Sequence, residues 1–221
     1  MGTLDVYVES GAKRVFAGAI VWPGWSRSGK TEELALHALS EYAARYAKVV
    51  TGLRPAFRMP SDLRVVERLR GDATTDFGAP SQTPTADRRP VDTKELARLT
   101  KMLRATWASF DAAAEQARGK KLRTGPRGGG RSLAKIVGHV VAAEGGYVRA
   151  IRGKAPGVDE RRARALAPAV REVVIEALTR AVKEGLPERG PRGGKIWTPR
   201  YFVRRAAWHV LDHAWEIEDR S

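Results

Sequence analysis

The chain has 221 residues, a formal net charge of +15 and no cysteine. This composition excludes disulfides, thiolate metal ligands and a cysteine nucleophile, and the length leaves room for one or two domains with a full apolar core. No run of about 18 apolar residues occurs and no charged-then-apolar leader opens the chain, so a soluble cytoplasmic protein with no membrane partner is expected.

Most of the excess positive charge lies beyond residue 91, spread over several loops and helices and not gathered in one run. Such a spread reads as an arginine-rich solvated surface, and nucleic-acid binding is expected to be weak and without sequence preference.

Residues 4–8 and 15–21 are rich in β-branched and aromatic side chains and flank the turn-like Ser10-Gly11-Ala12-Lys13, which predicts a hairpin. After Trp22-Pro23-Gly24-Trp25-Ser26-Arg27-Ser28-Gly29, Thr31 can cap a helix that opens with Glu32 and Glu33. That helix places Ala35, Ala38, Leu39, Tyr42 and Tyr46 on one face; its His37 has no second metal-type partner nearby and reads as structural or exposed. Residues 63–69 and 74–77 are expected to add strands. Residues 1–78 thus read as a small α+β domain, and residues 79–91, rich in Pro, Ser, Thr and Asp, as a linker.

From Val91 onward the periodicity is helical. Asp92 with Glu95 forms a capping-box pattern and Val91 with Leu96 a hydrophobic staple, opening a helix with Leu99, Leu103, Trp107, Phe110 and Ala114 inward. A second helix starts after Ser132 and buries Leu133, Val137, Val140, Tyr147 and Ile151. A third runs from about Pro168 to Gly185, and a fourth starts at the capping pair Thr198-Pro199. Four amphipathic helices over residues 92–221 predict an all-α bundle, and the connection over residues 152–167 is long enough to cross it.

Gly125-Pro126-Arg127-Gly128-Gly129 precedes the second helix and Gly190-Pro191-Arg192-Gly193-Gly194 the fourth. Glycine-rich backbone, an arginine and a helix N-terminus can together hold a carboxylate or phosphate; a pair of basic loops with no ligand is the other reading. Arg127 and Arg192 are the candidate anion or cofactor-binding residues, because guanidinium pairs with carboxylate in a two-pronged geometry.

The last helix carries His209 and His213 one turn apart, on the side of Phe202, Ala206, Val210 and Ile217. Imidazoles at i and i+4 point the same way and can share a metal ion; two core histidines satisfied by hydrogen bonds are the alternative. His139, on the shoulder of the second helix beside Ile136 and Ala143, is the third candidate. Small residues at Gly138, Ala142, Ala143 and Gly146 let another helix approach closely there. Three neutral histidines from two facing helices form a site with open positions, which lowers the pKa of bound water toward about 7 and favours a bound thiolate. Glu144 and Glu216 are the candidate catalytic acids, each able to orient a ligand, accept a proton or complete the coordination; Glu216 reads equally well as an exposed acid. Tyr147, Phe202, Trp208 and Trp215 are pocket candidates that serve as well in a core.

The helix with His139 and Glu144, the helix with His209 and His213, and the crossover between the second and third helices resemble the DinB/YfiT-like family over about residues 92–220. The resemblance implies an up-down-down-up four-helix bundle that binds a divalent metal, often zinc or nickel, through His139, His209 and His213. It also implies transfer or isomerisation using a low-molecular-weight thiol such as mycothiol or bacillithiol, or hydrolysis, on a small-molecule substrate. The strand, Pro-Gly, Thr-Glu-Glu and alanine-rich helix pattern of about residues 4–48 resembles the HicB-like antitoxin fold, which implies a toxin-antitoxin or nucleic-acid-binding module as the alternative function. A homodimer is a further expectation, as is the third class, a metal-stabilised interaction protein.

Overall fold

Side chains that satisfy orphan backbone N–H groups set the start of three of the four long helices, as the sequence predicts. In the computed structural model, which describes residues 2–124, 130–154, 157–190 and 193–221, Asp92 accepts from the Glu95 amide at 2.7 Å. Ser132 does the same for Lys135 at 3.4 Å and Thr198 for Tyr201 at 3.3 Å. The helices that follow are α4 (Thr93–Gln116), α5 (Leu133–Val148), α6 (Ala163–Glu184) and α7 (Pro199–Arg220). Helix α6 starts earlier than expected, after Arg162 and without a side-chain cap, and Pro168 lies inside it.

The N-terminal region forms β1 (Gly2–Ser10), β2 (Val15–Ala19), β3 (Ser26–Gly29), α1 (Glu32–Glu41), α2 (Ala43–Val49), β4 (Pro60–Arg70) and α3 (Ala73–Phe77). The sheet order is β3-β2-β1-β4, with β1 antiparallel to β2 and parallel to β4, so Val6 stands between Ala19 and Val65. Three local expectations change. Residues 26–29 form a strand, and the expected helix from Thr31 breaks at Tyr42 into two. Residues 74–77 are helical because Asp72 and Thr75 exchange capping hydrogen bonds, which hold the chain in a turn that an extended strand cannot keep.

The central strand is covered on both faces. Val6 and Val8 join Leu39 and Tyr46 in one apolar cluster, while Tyr7 lies under the Arg204 guanidinium at 5.3 Å. Glu9, fully buried, accepts hydrogen bonds from Thr75 Oγ1 at 2.5 Å, Ser81 N at 2.9 Å and Gln82 N at 3.0 Å. The expected linker is therefore a packed strap. Thr83 and Asp87 are buried, and Tyr201 of α7 donates its hydroxyl to the Ser81 carbonyl at 2.8 Å.

Helices α4, α5, α6 and α7 share one apolar core that includes Leu103, Phe110, Val140, Val174, Leu178, Phe202 and Val210. Helix α7 also gives Leu211 and Trp215, and α4 gives Met102, to the cluster built on the sheet. A helix packed on two sides is apolar or paired nearly all round. Accordingly, the polar edge of α7 is tied down: Asp212 to Arg27 at 2.9 Å and Asp219 to Arg45 at 2.8 Å. No described helix is long and apolar enough to cross a membrane.

Candidate metal centre

The i, i+4 spacing on α7 and the close approach of α5 bring His139, His209 and His213 together. Ring centroids lie 4.9 Å apart for His139 and His209, 5.0 Å for His139 and His213, and 4.8 Å for His209 and His213. His139 Nε2 and His209 Nε2 are 3.0 Å apart, and one potential ligand atom from each residue falls within 4.8 Å of the others. Two nitrogens bound to one zinc ion, each about 2.0–2.1 Å from it, lie no more than about 4 Å apart. The widest separation in the donor set exceeds that limit by less than about 1 Å, so the three rings can share a single ion once they draw together.

The electrostatics favour the neutral imidazoles that a metal requires. His209 is 7% exposed, and burial holds its pKa well below the ordinary histidine value, with the neighbouring charges of His213 and Arg205 adding to the effect. Burial is also the main reason that His139 is pushed down to about 4, with His213 and Arg131 next. His213 is fixed by a different device: its Nδ1 lies 2.7 Å from Glu216 Oε2, which leaves Nε2 for a ligand role. Glu216 in turn accepts from Arg220 at 2.6 Å, and the His213 bond is the first reason that its carboxyl is held below the usual range. His209 Nδ1 is buried with no hydrogen-bond partner among the described residues.

The two candidate acids separate. Glu216 belongs to the histidine site, while the hydrogen-bond and ion-pair partners of Glu144 are Trp107 Nε1 and, at 3.9 Å, Arg171 Nε. The five-residue offset from His139 turns Glu144 roughly 140° around α5, toward α4 and α6, which is why it joins a different cluster. Burial pushes the Glu144 carboxyl up to about 7 against the opposing pull of Arg171 and the Trp107 hydrogen bond. Arg127 and Arg192 lie outside the described residues. His37 is exposed and lies 3.5 Å from Glu41.

Among the four aromatic candidates, Tyr147 stands edge-on to the His209 ring at 5.7 Å. Trp208 packs on Phe16 as well as tilting toward His209, while Phe202 and Trp215 are core residues. Sequence reasoning missed Trp197, whose ring lies tilted at 5.3 Å from Tyr147, and Arg205, whose guanidinium lies 5.4 Å from the Tyr147 ring centre. Trp197 sits immediately before the Thr198 cap, and Arg205 lies one turn before His209, which is the signal that would have found them.

A family model described as DinB superfamily matches residues 102–217, the stretch that contains all three histidines. No curated protein matches the chain, and no solved structure does.

Proposed function

The chain belongs to the DinB superfamily, and from that premise we propose that it is an enzyme that holds one divalent ion, zinc or nickel, on His139, His209 and His213. The reaction class is transfer involving a low-molecular-weight thiol, or hydrolysis, on a small-molecule substrate, and the helical region is an up-down-down-up bundle. One observation carries the reading: three imidazoles from two helices converge, with His139 and His209 nitrogens 3.0 Å apart and both rings kept neutral by burial. When bound, such an ion supplies Lewis acidity and stabilises an anionic nucleophile near neutral pH.

The chain's own residues do the remaining work. Glu216, held by Arg220, accepts the His213 Nδ1 proton in a hydrogen bond and fixes that ring's tautomer. Tyr147 walls one side of His209, and Arg131 and Arg205 set a positive field that favours an anionic substrate or thiolate. Arg127 and Arg192 stay as the sequence-based candidates for the carboxylate of the thiol or its acceptor. Glu144, engaged by Trp107 and Arg171, is given no part in the chemistry.

Metal analysis of the purified protein tests the site: about one divalent ion per chain is expected, lost in His209→Ala and His213→Ala. Full occupancy in a His139→Ala, His209→Ala double variant would falsify the site. Cobalt-substituted protein should develop sulfur-to-metal charge-transfer bands on addition of mycothiol or bacillithiol. Silent spectra together with metal-dependent ester or amide cleavage would replace transfer by hydrolysis.

A further inference from the structure

A cavity lies where the N-terminal region meets the bundle, and none of the three histidines lines it. It is a cleft of about 830 Å³, within the size range of small-molecule sites. Its walls come from the turn at Ile20–Pro23, the loop at residues 52–55, the strap around Asp87, the first turns of α4, and Arg200 and Arg204 at the start of α7. Trp22, Val21 and Leu99 give it an apolar lining.

The charges around this cleft do not balance. Its three carboxylates are all engaged internally: Asp87 with Arg204 at 2.6 Å, Glu95 with Arg200 at 2.5 Å and Arg98 at 3.3 Å, and Asp92 as the cap of α4. Three of the seven cations, Arg98, Arg200 and Arg204, are held by those acids and by backbone carbonyls such as Val21 O, Pro90 O and Ala19 O. The other four, Arg54, Arg89, Lys94 and Lys101, line the same cleft and have no ion pair among the described residues. The guanidinium of Arg98 also stands 5.2 Å from the Trp22 ring centre, so the apolar lining is flanked by cationic planes.

We propose that this cleft binds a small organic polyanion with an aromatic or apolar body, its negative groups meeting Arg54, Arg89, Lys94 and Lys101 and its body resting on the surface around Val21, Trp22 and Pro55. The concave volume favours a small molecule over a nucleic-acid backbone, which needs an extended stripe of charge. The walls belong to both the N-terminal region and the bundle, so an occupant bridges the two and stabilises their packing.

Isothermal titration of the full chain with pyranine trisulfonate, an aromatic polyanion, tests the assignment, with inorganic tripolyphosphate as the charge-only probe. Saturable binding at one site is expected, about tenfold or more tighter than tripolyphosphate. Replacing Arg54, Arg89, Lys94 and Lys101, all exposed, by glutamine should weaken pyranine binding by about tenfold or more. A second quadruple variant, with the exposed Lys120, Lys121, Lys135 and Lys183 changed to glutamine, carries the same charge reduction and should bind nearly as the parent does. Equal losses in the two variants would assign binding to the overall field of the protein and overturn the site. So would equal affinity for the two probes, absence of saturation, or duplex DNA that displaces pyranine and binds more tightly.

Discussion

His213 Nδ1 and Glu216 Oε2 stand 2.7 Å apart across less than one turn of α7, and Arg220 holds the other oxygen of the same carboxylate at 2.6 Å. The carboxylate thereby orients one imidazole of the triad, and Arg220, which also donates to the carbonyls of Arg123 and Arg131, ties it to the segment before α5. Removing the acceptor charge should loosen that ring. Glu216→Gln is expected to weaken metal affinity by about 10- to 100-fold, measured by chelator competition. Glu144→Gln, altered at a carboxylate engaged elsewhere, should leave that affinity as it is, and equal losses in the two variants would refute the division of roles.

Glu144 carries a pH signature in stability. Its folded-state pKa is raised to about 7, so the folded protein retains a proton that the unfolded chain releases near the ordinary carboxylate value. The stabilisation from that proton is full below the ordinary value and is lost as pH rises through about 7. Glu144→Gln removes the titration, so the unfolding free energies of variant and parent from urea titration should diverge in the variant's favour from pH 5 to pH 8, by on the order of 2–3 kcal/mol. A constant difference across that range would show that Glu144 titrates normally.

The buried pair Arg204 and Asp87 fastens α7 to the strap, and Arg204 also donates to the Ala19 and Ile20 carbonyls at 2.6 and 2.7 Å. Arg204→Ala leaves Asp87 and two carbonyls without their donor inside the protein. A loss of about 3–5 kcal/mol is expected in denaturant unfolding. Asp87→Asn keeps one acceptor oxygen of two and leaves the buried guanidinium without its counter-charge, so a loss of similar size is expected.

Gly24 adopts a φ of +91°, and a Cβ there would come within 2.9 Å of the Ala207 Cβ. The turn after β2 thus lies directly against α7. Gly24→Ala combines an unfavourable backbone region with a clash and should cost about 1–3 kcal/mol, seen as a fall of several degrees in Tm. An unchanged Tm would mean that the turn moves away freely.

Exposed His37 is the internal control for the histidine site. Its side chain is 70% exposed and its one ion-pair partner among the described residues is Glu41, so His37→Ala should leave metal content and Tm unchanged, checked by elemental analysis and thermal unfolding.

The sequence by itself determined what depends on neighbours a few residues away. Asp92, Ser132 and Thr198 start their helices because each side chain reaches an amide three residues on, and His209 and His213 share a face because a helical turn spans about four residues. Even the third histidine was legible, from its place among the small residues of α5. Only the tertiary structure decided which acid serves the histidines, because Glu144 and Glu216 look alike until distant partners, Trp107 and Arg171 for one and the triad itself for the other, take hold. It likewise turned residues 79–91 from a linker into a packed strap, through Glu9, Asp87, Arg204 and Tyr201, whose partners lie 72 to 120 positions away in the chain. A buried carboxylate or guanidinium must find its counterpart wherever the fold brings one, and no local pattern records where that is.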